Sequence, residues 1–213
     1  MFPDSTYSSD NDPDIEASIK STFSMWQQFL RDNGAGVTIT YLMTAKYSIF
    51  EKYSYEKNMK KMKKKFSYTA LRSYITRVLL LHDAILFHNQ IASKEWKQSS
   101  HDELKQVIVG PKKALFHFGD NYGHSDKRDG LKVYVRSKIE TEKLLIFIII
   151  LFTTINDYDA INLNILGQDL MYKVDKLQGL ARQSGFKISK DKDSVSVAEL
   201  SVPLTFPEPR KKR

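Results

Sequence analysis

LLIFIIILF, from Leu144 to Phe152, is nine apolar side chains without a break, and its reading decides where the core of the chain lies. A solvated face on such a run would leave several large side chains in water, so the run is expected to be buried. Lys143 and Asn156 bound it closely. A membrane-spanning helix needs about twenty predominantly apolar residues, so the run is the centre of a folded domain and no transmembrane segment is expected. The polar approach through residues 138–143 favours a helix, whereas four isoleucines keep a buried strand open.

Working outward toward the C-terminus, Ile161, Ile165, Leu166, Leu170, Val174, Leu177 and Leu180 recur at helical spacing, which predicts one helix over 157–181 stopped by Gly185. Residues 186–189 and 194–198 alternate around the charged turn 190–193 and predict a terminal hairpin. Pro203, Pro207 and Pro209 then exclude regular structure.

Toward the N-terminus, residues 131–136 alternate strictly and predict a strand. The apolar run 114–118 is expected to pair with it around a turn-rich loop, 119–130. Residues 104–109 suit a short helix or strand, ended by Gly110 and Pro111. Leu71, Ile75, Val78, His82 and Ile85 line one face of a core helix reaching about Ser93, with His82 read as a packed histidine. A further helix is expected over 14–31, through Phe23, Trp26 and Leu30. The glycine-containing break 33–36 follows, then a short strand over 37–41, with 42–47 able to carry a helix instead. The sequence shows no internal repeat of fixed period.

The expected fold class is therefore α+β, a predominantly helical single domain with a small set of mostly antiparallel strands. It spans 14–202, between a flexible acidic arm (1–13) and a basic, proline-containing tail (203–213). At 213 residues, a second independent core is not expected.

The formal charge of +8 and the pI near 9.4 favour acidic partners. Lysine supplies most of this charge, with eight arginines, which suits diffuse attraction to phosphate more than forked recognition of bases. The absence of cysteine excludes disulfides, thiolate metal sites and cysteine nucleophiles. The acidic, polar start lacks a secretory leader's basic and apolar regions. An intracellular protein of the cytoplasm and nucleus is expected.

Two basic stretches carry the functional reading. In residues 51–66, Tyr55, Met59, Met62 and Phe66 form an apolar stripe at helical spacing, beside Lys57, Lys60, Lys61, Lys63, Lys64 and Lys65. The chain closes on Arg210, Lys211, Lys212 and Arg213, a run that suits phosphate contact or nuclear import. Together they predict a non-enzymatic basic protein that associates with nucleic acid or ribonucleoprotein, nucleocapsid- or matrix-like in size and charge and able to form homo-oligomers.

The second reading is a peripheral membrane protein, the stripe entering an anionic membrane surface. A third is a nuclease using loop histidines, because His117, Asp120, His124 and Asp126 have metal-ligating chemistry. They lack a recognised ligand spacing, so no metal and no cofactor is expected. No glycine-rich phosphate loop or nucleophile elbow is present.

Overall fold

The computed structural model describes residues 15–55, 68–92, 98–107, 118–190, 195–200 and 204. The chain divides into two compact units, Met1–Val78 and Leu79–Arg213.

In the first unit, α1 (Ile15–Asp32) buries Phe23, Trp26 and Leu30 at the expected helical spacing. It ends where Gly34 takes φ +75° and the Ala35 N–H donates to the Leu30 carbonyl at 2.9 Å. The next residues depart from expectation: 37–41 begin α2 (Val37–Tyr55) and form no strand. The β-branched alternation there is short, and the longer pattern of buried Ile39, Leu42, Met43 and Phe50 has a helical period. Packing on α1 thus overrides local β propensity. Phe23 meets the Tyr47 ring edge-on at 5.5 Å, and the Tyr74 hydroxyl donates to the Leu42 carbonyl at 2.8 Å. Tyr74 lies on α3 (Tyr68–Ala92), the core helix expected from its apolar line, and His82 of that helix is buried.

The second unit takes α3 from Leu79 onward. β1 (Gln98–Ser100) and α4 (His101–Val107) follow, then the helical residues 118–122 and the hairpin of β2 (His124–Arg128) and β3 (Leu131–Val135). The run 144–152 lies within α5 (Lys138–Ile155), which resolves its helix-or-strand ambiguity. Ser137 and Glu140 start α5 with a reciprocal capping box, and Leu144, Leu145, Ile148, Ile149 and Phe152 are fully buried. β4 (Ile161–Asn162), α6 (Leu163–Asp169), α7 (Val174–Gln183), β5 (Phe186–Lys190) and β6 (Ser196–Leu200) complete it.

Three expectations are corrected here. The partner of β3 is β2, which lies inside the presumed loop and joins it through Asp129 and Gly130, at φ +50° and +78°. An Asp-Gly pair with both φ positive is the favoured two-residue hairpin turn. The strand was hidden because His124, Ser125, Asp126 and Lys127 are all exposed on a sheet edge and show no apolar alternation. Phe118, at the end of the expected 114–118 strand, is helical, and 114–117 fall outside the described residues. The single helix expected over 157–181 is two helices and a strand. Asp157, Tyr158 and Met171 take positive φ there, so the chain turns without glycine or proline to announce it.

The fold is α+β and mostly helical, with two antiparallel three-stranded sheets ordered β1-β3-β2 and β4-β6-β5. In each, the first strand pairs with the third and the third with the second. The elements correspond along the chain too: β1 and β4 begin at 98 and 161, α4 and α6 at 101 and 163, β2 and β5 at 124 and 186, β3 and β6 at 131 and 196. A helix precedes each set, α3 ending at Ala92 and α5 at Ile155. The unit is therefore a structural duplication that the sequence pattern does not display. Among the described residues, no helix is long and apolar enough to cross a membrane.

Candidate nucleic-acid interface

Of the two modules of this duplication, one running from late α3 to β3 and the other from α5 to β6, the second presents two helices joined by a short turn, with a hairpin behind them. Asn162 caps α6, its side-chain oxygen accepting from the N–H groups of Asn164 and Ile165 at 2.8 and 3.2 Å. Gly167 lets α6 and the following turn close together. A Cβ there would lie 3.0 Å from both the Tyr172 carbonyl oxygen and the Val174 side chain. The Tyr172 N–H donates back to the Gly167 carbonyl at 2.9 Å and fixes the turn. With α5, β4 and the β5–β6 hairpin, this is the arrangement of a winged helix-turn-helix, in which α7 holds the groove-reading position.

The surface of α7 agrees with that position. Leu177, Leu180 and Ala181 are buried, while Asp175, Lys176, Arg182 and Gln183 are exposed. Gly179 lies at the centre of the outward face, where an added Cβ would meet nothing within 4 Å. Glycine weakens a helix interior, so its presence here is not a packing requirement. It leaves the helix backbone bare at the centre of that face.

Around this face the charge is one-sided. Between residues 173 and 190 stand Lys173, Lys176, Arg182, Lys187 and Lys190, against the single acid Asp175. All five cations are exposed, and none has a carboxylate partner among the described residues. Lys176 lies 5.6 Å from the Tyr172 ring centroid, which holds its base beside the helix-turn-helix bend. The hairpin is tied to α7 through Gln178 Nε2, which donates to Ser196 Oγ at 2.8 Å. The Ser196 N–H donates in turn to Asn164 Oδ1 at 3.3 Å. Helices and wing therefore form one hydrogen-bonded scaffold that carries cations on its outer side.

None of these residues was a sequence candidate, because helical spacing from 161 to 180 conceals the bend between α6 and α7. The overlooked signal is the Asn162 cap, which starts a new helix inside that spacing. Lys57, Lys60, Lys61, Lys63, Lys64, Lys65, Met59, Met62 and Phe66 lie outside the described residues, as do Arg210, Lys211, Lys212 and Arg213; Tyr55 ends α2. Of the loop candidates, His117 lies outside them too, Asp120 is in the helical residues 118–122, and His124 and Asp126 are on β2.

His124 Nδ1 stands 3.3 Å from Glu140 Oε1, and Asp126 accepts the Lys127 N–H at 2.8 Å. Burial alone would raise Glu140, but hydrogen bonds from Ser137 and the proximity of His124 hold it below the usual carboxylate range. Among the described residues, no group of three metal-ligating side chains converges.

A family model described as A49-like RNA polymerase I associated factor matches residues 85–207, more than half of the chain and the whole of the duplicated region from late α3 to β6. No curated protein matches the chain. The family match overturns the expectation of a nucleocapsid- or matrix-like viral structural protein and the membrane-associated reading. Charge and size had suggested the first and a basic stretch with an apolar stripe the second, and none of these properties distinguishes a polymerase factor from them. The family is one of polymerase-associated factors, not catalysts, which also displaces the nuclease reading.

Proposed function

The chain belongs to the A49-like RNA polymerase I associated factor family, and from that premise we propose that it is a non-catalytic polymerase I associated subunit that holds duplex DNA through its second winged module. The observation that carries this reading is the bare, cationic face of α7, with Gly179 at its centre and Lys176 and Arg182 beside it. The ten residues of α7 span about 15 Å, a length that a B-form major groove accepts. The narrow major groove of A-form RNA does not admit a helix, which favours DNA over duplex RNA. Lys187 and Lys190 on β5 are suited to the flanking phosphates. With one arginine and several lysines on the surface, binding is expected to depend little on sequence and strongly on salt.

This reading implies residence in the nucleus, for which the basic run Arg210–Arg213 suits import. The test is fluorescence anisotropy with DNA and RNA duplexes of equal length across a salt series. Preferential binding of DNA that weakens steeply with salt, and that is lost in Lys176→Glu/Arg182→Glu, is the expected result. Equal binding of both duplexes, or a double variant that binds as the parent does, would reject it.

A further inference from the structure

The two modules meet at the C-terminal end of α3, where three neighbouring residues each engage a different part of the molecule. Phe87 lies under the Arg136 guanidinium, with 5.7 Å from Cζ to the ring centroid. Arg136 belongs to the two-residue link between β3 and α5, and its Nη2 donates to the His88 carbonyl at 3.0 Å and lies 3.4 Å from His88 Nδ1. The His88 ring hydrogen-bonds to the backbone of Leu170 and meets Tyr172 edge-on at 6.1 Å. Asn89 Nδ2 donates to the Asp169 carbonyl at 2.8 Å. Asp169, Leu170 and Tyr172 form the end of α6 and the turn that aims α7.

Arg136 is only 3 % exposed, and its Nε and Nη1 have no hydrogen-bond partner among the described residues. Burying a guanidinium with unused donors is unfavourable, and an apolar side chain of similar volume is commonly as stabilising or more so. Burial draws the Arg136 pKa down to about 10 despite the nearby Glu140, and it pushes His88 down to about 3 with help from Arg136. The ring is therefore neutral at physiological pH and can accept from the guanidinium at Nδ1. A charge kept in so unfavourable a place is better accounted for by the geometry it fixes than by the stability it adds.

We propose that Arg136, His88 and Asn89 are positioning residues that clamp the first module to the helix-turn-helix bend of the second, so that the two modules present α7 to DNA as one rigid body. None of the three touches DNA in this arrangement; they act by fixing the direction of α7. This rests on the DNA-binding reading above only for its consequence, because the clamp itself is a property of the free protein.

Since the chain has no cysteine, two spin labels can be introduced at exposed, charge-neutral positions, Gln106→Cys on α4 and Gln168→Cys on α6, away from the outward face of α7. Double electron–electron resonance should give one narrow distance distribution in the parent. Arg136→Met and the milder Asn89→Ala should broaden it and lower DNA affinity about tenfold, with thermal midpoints close to the parent's. Arg136→Lys, which keeps one donor for the His88 carbonyl, should recover a narrow distribution in part. A distribution that stays narrow in both Arg136→Met and Asn89→Ala overturns the clamp. So does broadening that leaves affinity unchanged in a parent that binds DNA. A parent that binds no DNA but still broadens on Asn89→Ala would reject the DNA reading while supporting the clamp.

Discussion

The two modules of the second unit have the same strand order, the same antiparallel pairings and the same succession of elements, yet they differ in what they present to solvent. In the second, Lys173 at the N-cap of α7, α7 itself and β5 carry five cations and one acid, around a glycine that no neighbour requires. In the first, the hairpin sets Lys127, Arg128 and Lys132 against Asp126 and Asp129, and Lys132 lies 5.3 Å from the Tyr134 ring centroid. The glycine of its helical segment, Gly119, is constrained in the opposite way, since an added Cβ would lie 2.1 Å from the buried Tyr134 ring. A shared scaffold therefore does not imply a shared site; charge and the reason for each glycine separate the module proposed to bind DNA from its counterpart.

Reversing charge in each module should separate them most strongly. Lys176→Glu/Arg182→Glu should weaken DNA binding about a hundredfold at low salt and flatten its salt dependence, since two phosphate contacts become repulsive. Lys127→Glu/Lys132→Glu should change affinity no more than about threefold, because Asp126 and Asp129 already offset most of the positive charge of that hairpin. Anisotropy on one duplex reads both, and equal losses from the two pairs would erase the distinction.

Next in size is Gly119→Ala. Tyr134 is fully buried and cannot move aside cheaply, so the variant should lose about 1–3 kcal/mol in chemical denaturation, a typical cost of overpacking. A neutral Gly119→Ala would mean that the first module tolerates repacking at its centre.

The junction between the modules titrates. His88 has a folded pKa of about 3, below the ordinary value of 6.5, because burial and then Arg136 disfavour its charged form. The unfolded chain thus binds the additional proton between these values. The stabilising contribution is complete above pH 6.5 and is lost as pH falls toward 3, at up to about 1.4 kcal/mol per pH unit. His88→Gln should show a shallower loss across that window than the parent does. Parallel stability–pH curves would show that this histidine does not carry the dependence.

Much of this architecture was legible in the sequence, and the parts that were not share a cause. The helices around Phe23–Leu30 and Leu71–Ile85, the strand at 131–135 and the terminal hairpin follow from apolar periodicity, and each exists; the unbroken run Leu144–Phe152 announced a buried segment, favoured as a helix by its polar approach, and it is one. β2 was missed because both its faces are polar, and the bend between α6 and α7 because Met171 takes φ +48° where glycine would have signalled a stop. The duplication escaped notice because it preserves strand order and spacing without preserving residues. For the same reason the cations of α7 read as the wet side of one long helix, whereas the lysine run 57–65 drew attention through density alone.

The smallest effect is also the most discriminating, because stability and binding should move in opposite directions. Gly179→Ala replaces a glycine in a helix interior where the new Cβ meets nothing, so it should raise stability by about 0.5–1 kcal/mol through helix propensity. The same methyl projects from the face that a groove would cover. If α7 enters the groove, DNA affinity should fall several-fold in a protein that unfolds later than its parent. Gly119→Ala in the first module has no such dissociation, since there the methyl collides inside the fold. A Gly179→Ala protein with higher stability and unaltered affinity would mean that α7 lies away from DNA. The glycine would then be an unexploited weakness of the helix, and the difference between the modules would reduce to charge.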